Sequence, residues 1–292
     1  MTASASAAKR LHRHGPQVAF AVVAFLLASG VSARPMVFGA RTLQLPDPDG
    51  FKAIALSEPG YMQVLQSYLP ATNRLVDVYV EPAAAASMAA NQPARLDHYF
   101  QLQVFRQLDG RVISPRDFGR AETEIQASME DVAKKAREQI EQLTANGNAE
   151  AARKTSTDPK LALSGFNYLG TFRREPWGLF FAFRSHVSSA TTPQGEDLVG
   201  SGAFVLVNYQ ALYLYSYSHY AGDADRLWVE HAVSAWADAV RAANPDDPAL
   251  ESQAVQLHGG VDWSTMFGKG VAWGLIAALV ALVVGVMLKR RS

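Results

Sequence analysis

Hydrophobic spacing along the chain alternates between a period of two and a period near 3.6, and each change predicts an element. "PGYMQVLQSYLP" (59–70) predicts a short helix bounded by prolines. "RLVDVYVEP" sets Leu75, Asp77 and Tyr79 against Val76, Val78 and Val80, which predicts a strand. Residues 83–94, rich in alanine, read as a connection, helix or loop. "HYFQLQVFRQL" predicts a second strand, with Phe100, Leu102 and Val104 on one face and Gln101 and Gln103 on the other. "DGR" closes it with a turn.

The clearest helix starts at "SPRD". Ser114 can cap it, Pro115 sits where a missing amide proton costs nothing, and Asp117 can return a capping hydrogen bond. Ile125, Met129, Val132, Ala136, Ile140 and Leu143 then recur every three or four residues as one apolar stripe. Packing against the protein's own sheet is the expected use of that stripe, and a coiled-coil seam the alternative. "ANGNAEAARKTSTDPK" (145–160) is expected to stop the helix and form a mobile loop. Four strands follow: "GFNYLGTF", "GLFFAFRSHV", "GSGAFVLV" and "ALYLYSYS". Their short links predict an antiparallel meander. A closing helix, "DADRLWVEHAVSAWADAVRAAN", has Asp223 as its expected cap and a broad apolar face including Trp228, Val233 and Trp236.

Strands grouped apart from helices predict an α+β domain on an antiparallel sheet. Several strands are apolar on both faces: Leu179, Phe181 and Phe183 oppose Phe180 and Ala182. Such a sheet needs cover on both sides, which the two long amphipathic helices can supply, giving a three-layer sandwich. The order of the long helix ("EIQASMEDVAKKAREQIEQL"), the late hairpin ("AFVLVNYQALYLYSYS") and the closing helix ("RLWVEHAVSAWADAVRAA") resembles the PsbP-like family over residues 43–243. That resemblance implies an accessory or assembly subunit of a membrane complex with no shared catalytic site. The loop at 145–160 and the carboxy-terminal apolar segment depart from the family pattern.

The two ends bear on location. Lys9, Arg10 and Arg13 precede the apolar run "VAFAVVAFLLASGV" (18–31), and Val31 and Ala33 supply the small residues of a signal-peptide cut after Ala33. An uncleaved signal anchor is the alternative. At the other end, 19 uncharged residues from 270 to 288 precede Lys289, Arg290 and Arg291. A span of roughly 20 apolar residues crosses a bilayer as a helix, and the basic tail then stays cytoplasmic. The expected plan is a signal peptide (1–33), an exported domain (34–244), a linker (245–265), a transmembrane helix (266–288) and a cytoplasmic tail (289–292). The bilayer is therefore an expected partner through 266–288. Gly270, Gly274 and Ala278 form a small-xxx-small pattern suited to helix packing within it. Abundant alanine and the compact signal point to a bacterial inner membrane, with the bulk of the chain periplasmic.

Composition narrows the chemistry. Overall charge balances at 27 basic and 27 acidic residues. Without Lys9, Arg10, Arg13, Lys289, Arg290 and Arg291, 21 basic residues face the 27 acids, a net charge of −6 on the exported part. A mildly acidic domain is a poor nucleic-acid binder. The chain has no cysteine, which excludes disulfides, thiolate nucleophiles and Cys-ligated metals. Neither HExxH nor a Walker loop occurs, and the histidines are scattered, so no metal or cofactor is expected. "GSG" (200–202) lacks the G-x-S-x-G spacing and reads as a flexible strand start.

One constellation stands out. Where the second and fourth meander strands share a face, Arg184 and His186 would approach Tyr217 and His219, forming a cationic and phenolic cluster able to hold a small anion or a carboxylate. The alternating Tyr213, Tyr215 and Tyr217 are expected to be core. The function expected from the sequence is a membrane-tethered, exported, non-enzymatic accessory module with a protein partner at the membrane. An exported enzyme or small-ligand binder using Arg184, His186, Tyr217 and His219 is the alternative.

Overall fold

A computed structural model describes residues 33–254, apart from 56, 70, 91, 93, 156–160 and 190–191. Nine strands and five helices occur among them: β1 (Ala33–Phe38), β2 (Arg41–Pro46), β3 (Lys52–Ala53), α1 (Pro59–Ser67), β4 (Asn73–Val80), α2 (Pro82–Ala89), β5 (His98–Phe105), α3 (Pro115–Thr155), β6 (Ala162–Glu175), β7 (Gly178–Ser188), β8 (Glu196–Val207), β9 (Gln210–His219), α4 (Asp223–Ala242) and α5 (Pro248–Glu251). The expected signal peptide up to residue 32, the segment 266–288 with Gly270, Gly274 and Ala278, and the basic tail lie outside the described residues. No helix among the described residues is long and apolar enough to cross a membrane.

The fold is α+β, built on a seven-stranded antiparallel sheet in the order β3-β4-β5-β9-β8-β7-β6. The meander runs from β6 to β9, and β9 then pairs with β5. Alternation divides the side chains between two cores. One holds Phe181, Phe183, Tyr213, Tyr215 and Tyr217 with residues of α1, α2 and α3. The other holds Phe180, Val205, Leu212 and Leu214 with Val233, Trp236 and Val240 of α4. Full burial of side chains this size contributes roughly 1.5–3 kcal/mol each, which lets a cysteine-free domain hold together.

Four features depart from the sequence-based expectations. The chain before the first expected strand forms a hairpin, β1–β2, whose Phe38, Leu43 and Leu45 are buried on the α4 side. The amide of Asn244, just past α4, pairs with this hairpin, bonding both the N–H and the carbonyl of Gln44 at 2.7 Å. Alternation puts Leu75, Asp77 and Tyr79 on one face, but Leu75 joins the α3-side core and Tyr79 the α4-side core, with Asp77 fully buried between them in sequence. A bulge between Leu75 and Asp77 shifts the phase of β4, and Arg34 of the hairpin reaches the carboxylate at 2.6 Å.

The third departure is α3, which continues through the expected loop to Thr155. Its start matches the expectation: the Asp117 N–H donates to Ser114 Oγ at 3.0 Å. Ile125 and Met129 of the apolar stripe are buried. Further along, Gly147 does not break the helix because its missing side chain makes room for a ring: a Cβ there would collide with Tyr68. Asn148 next to it bonds the carbonyl and the N–H of Leu161, so these two loop-forming residues serve tertiary contacts. The fourth departure is the cap of α4. Asp223 is the first helical residue, and the carboxylate of Asp225 accepts from the N–H groups of Ala221 and Gly222.

Candidate functional site

The register of β7, β8 and β9 decides what the constellation at Arg184, His186, Tyr217 and His219 amounts to. Phe183 lies opposite Gly200, and Gly200 opposite Tyr217, so Tyr217 shares the face of Phe183. Arg184 lies opposite Val199, and Val199 opposite Ser218. Arg184 and His186 therefore point to the α4 side, and Tyr217 and His219 to the α3 side. The structure brings the four residues to one end of the sheet but divides them, two and two, between its faces.

Tyr217 is the inner rung of a phenol stack. Its ring lies 4.7 Å from Tyr99 and 6.1 Å from Tyr215, which lies 6.4 Å from Tyr213, all nearly parallel. Burial pushes the phenols of Tyr99, Tyr213, Tyr215 and Tyr217 above the ordinary tyrosine range, so all four stay protonated at neutral pH. The glycines of "GSG" make this stack possible. A Cβ at Gly200 would meet the rings of Phe183 and Tyr217, and one at Gly202 those of Phe181 and Tyr215. The motif is thus a notch in the middle of β8, not a flexible strand start. Between the glycines, Ser201 faces α4, and its hydroxyl donates to the Val229 carbonyl at 2.6 Å. Ser216 donates to the same carbonyl at 2.8 Å.

The histidines sit nearer to solvent. His186 Nδ1 lies 2.8 Å from Asp197 Oδ1, over the backbone of Gly195. His219 Nδ1 lies 2.9 Å from Glu196 and its Nε2 3.8 Å from Asp97. Glu196 and Asp197 are consecutive in β8, so each serves the histidine on its own side of the sheet. His98 Nδ1 lies 3.2 Å from Glu81, with its ring 4.1 Å from that of Trp228. Arg184 lies over the Tyr220 ring at 4.9 Å. Residue type marks Arg184, His186 and His219 in the sequence, but neither His98 nor any of the acids. Glu81, Asp97 and Glu196 sit at strand ends in unremarkable local sequence, and no local pattern marks them.

A second polar cluster went unread in the sequence. The Asp77 carboxylate accepts from Arg34, from the Ala55 N–H at 3.0 Å and from the Val78 N–H at 2.8 Å. Arg34 Nε also lies 3.5 Å from Asp47, whose carboxyl burial pushes above the usual range. This cluster ties β1 to β4, as a buried charge must be tied to its counter-ion. Among the described residues, no group of three His, Asp or Glu side chains is placed to hold a metal ion.

No family model and no curated protein matches this chain. Among solved structures, the Ran-binding protein Mog1p of Saccharomyces cerevisiae aligns with 75% of this chain and 98% of its own, at 11% identity and a TM-score of 0.29. At that score the likeness carries no argument about fold or function.

Proposed function

We propose that this chain is an exported accessory module, held at a membrane by residues 266–288, that acts by engaging a protein partner and not by catalysis. One observation carries the reading: the side chains best suited to chemistry are divided between opposite faces of one sheet, with Tyr217 fully buried. Groups that cannot meet around one reacting atom make a poor catalytic centre. Ser201 and Ser216 are likewise committed to the Val229 carbonyl. The basic-then-apolar start and the uncharged 19-residue run near the end supply the export and tethering halves of the proposal. A sheet sandwiched between helices on both faces, in a PsbP-like order of elements, belongs to the same reading.

Two experiments test it. Affinity purification of the full chain from gently solubilised membranes should recover one partner reproducibly; repeated recovery of the protein alone counts against the module. A reporter fused after Leu250 should be active only outside the cytoplasm, and cytoplasmic activity overturns the topology. A small-anion binder remains the second reading, because Arg184 and His186 share a face beside Tyr220. Arg184→Ala would then abolish anion binding while leaving partner recovery intact.

A further inference from the structure

The two ends of the large sheet are fastened by different chemistry. Where β8 turns into β9, the Gln210 side chain donates to the carbonyls of Leu108 and Ala211 and accepts from the Gly110 N–H. Arg41 donates to the carbonyls of Asn208 and Arg111 and to Gln210 Oε1. Amides and guanidinium groups keep their charge state throughout the physiological pH range.

At the opposite end, every neighbouring pair of strands from β4 to β7 is linked by a histidine and a carboxylate. Glu81, just past β4, meets His98 of β5 at 3.2 Å. Asp97, just before β5, meets His219 of β9 at 3.8 Å. His219 meets Glu196 of β8 at 2.9 Å, and Asp197 of β8 meets His186 of β7 at 2.8 Å. Three histidines thus serve five strands, and His219 stands between two carboxylates.

Among the described residues, other groups also lie beside these links. Arg95 lies 2.6 Å from Asp97, and Arg184, over Tyr220, shares the face of His186. From α4, Trp228 meets His98, and Asp225 is occupied by the N–H groups of Ala221 and Gly222. β6 brings Ser164 opposite His186.

Histidine is the side chain whose ordinary titration falls between about pH 5 and 8. We propose that this end of the sheet is a pH-dependent clamp. With the imidazoles charged, all four links are ion pairs. With them neutral, Glu81, Asp97, Glu196 and Asp197 are left gathered at one sheet end, with Arg95 and Arg184 beside them among the described residues. Each link is an ion pair only while its imidazole carries a proton, so the clamp is tightest below the histidine range and slackens as pH rises through it. The inference is independent of the proposed function.

Amide hydrogen exchange on the full chain tests it, at about pH 5.5 and about pH 8, with rates corrected for intrinsic exchange. The quantity read is the protection of 98–100, 196–199 and 217–219 relative to 203–207 and 210–214 at the Gln210 end. The ratio should fall about threefold to tenfold between the two pH values, the range expected of a few partly exposed ion pairs. His98→Gln, His186→Gln and His219→Gln combined should flatten it. An unchanged ratio in the unmodified protein overturns the clamp, as does an equal fall in the triple variant. Should the triple variant not fold, Glu196→Gln serves instead: it retains His219 and should shrink the fall, and an undiminished fall counts against the clamp.

Discussion

The two faces of β9 carry cores of different character. Toward α3 the strand presents Tyr213, Tyr215 and Tyr217, stacked beside the buried amides of Asn73, Gln101 and Gln103. Asn73 donates to Gln103, and Gln103 to Gln101, each at 3.2 Å. Toward α4 it presents Leu212, Leu214 and Ser216 against Trp236 and Val233, with the Trp236 N–H donating to the Pro46 carbonyl at 2.9 Å. One strand therefore supplies three phenols to the core on one side and aliphatic groups to the core on the other, where the titratable groups, Tyr79 and Asp77, come from β4 instead. Burial alone does not make two cores equivalent; the chemistry of what is buried sets the conditions under which each fails.

The largest expected effect is alkaline. Four buried phenols on the α3 side, and Tyr79 alone on the α4 side, hold their protons above the unfolded value of about 10, so their contribution is complete below that pH. Above it the unfolded chain releases protons that the folded chain keeps. Stability should then fall by up to about 1.4 kcal/mol per tyrosine per pH unit. Tyrosinate absorbance from these residues should appear together with loss of fold, and its appearance in the folded protein would break the distinction between the faces. Next comes Trp236→Ala on the other face, expected to cost about 3–5 kcal/mol, equally in mildly acid and mildly alkaline buffer, by denaturant titration.

Gly202→Ala should cost about 1–3 kcal/mol, because the new methyl group enters the Phe181 and Tyr215 rings from within the strand. Gly60→Ala in α1, where a Cβ meets nothing within 4 Å, should be neutral or slightly stabilising. Equal effects from the two would remove the notch. Ser216→Ala should cost about 1 kcal/mol, since Ser201 still bonds the Val229 carbonyl. The smallest effect is His219→Gln, about 0.5 kcal/mol by thermal melting, as suits a partly exposed ion pair.

Local pattern revealed the elements whose signals are local. The cap at Ser114 and Asp117, the meander strands and the amphipathic closing helix all follow from spacing and capping chemistry within a few residues. The hairpin β1–β2 escaped because its apolar positions, Phe38, Leu43 and Leu45, are too few to set a period before they meet α4. α3 was read short because Asn146, Gly147 and Asn148 carry loop propensity, which the contacts with Tyr68 and Leu161 override. Leu75 and Tyr79 face different cores because alternation holds only along an unbroken strand, and a bulge breaks this one. The candidate site was legible only in part. Arg184, His186 and His219 stood out by residue type, but their acidic neighbours are recruited from other strands.

Alternation by itself determined that Tyr213, Tyr215 and Tyr217 share one face of their strand, and that Arg184 and His186 share one face of theirs. It could not determine whether those faces coincide. That phase is set by the hydrogen-bond register from β7 through β8 to β9, where a shift of one residue turns a whole strand over. Only the tertiary structure decided it, placing Tyr217 in the core toward α3 and Arg184 on the side of α4. The side-chain period is a property of each chain segment, while the phase between segments belongs to their pairing.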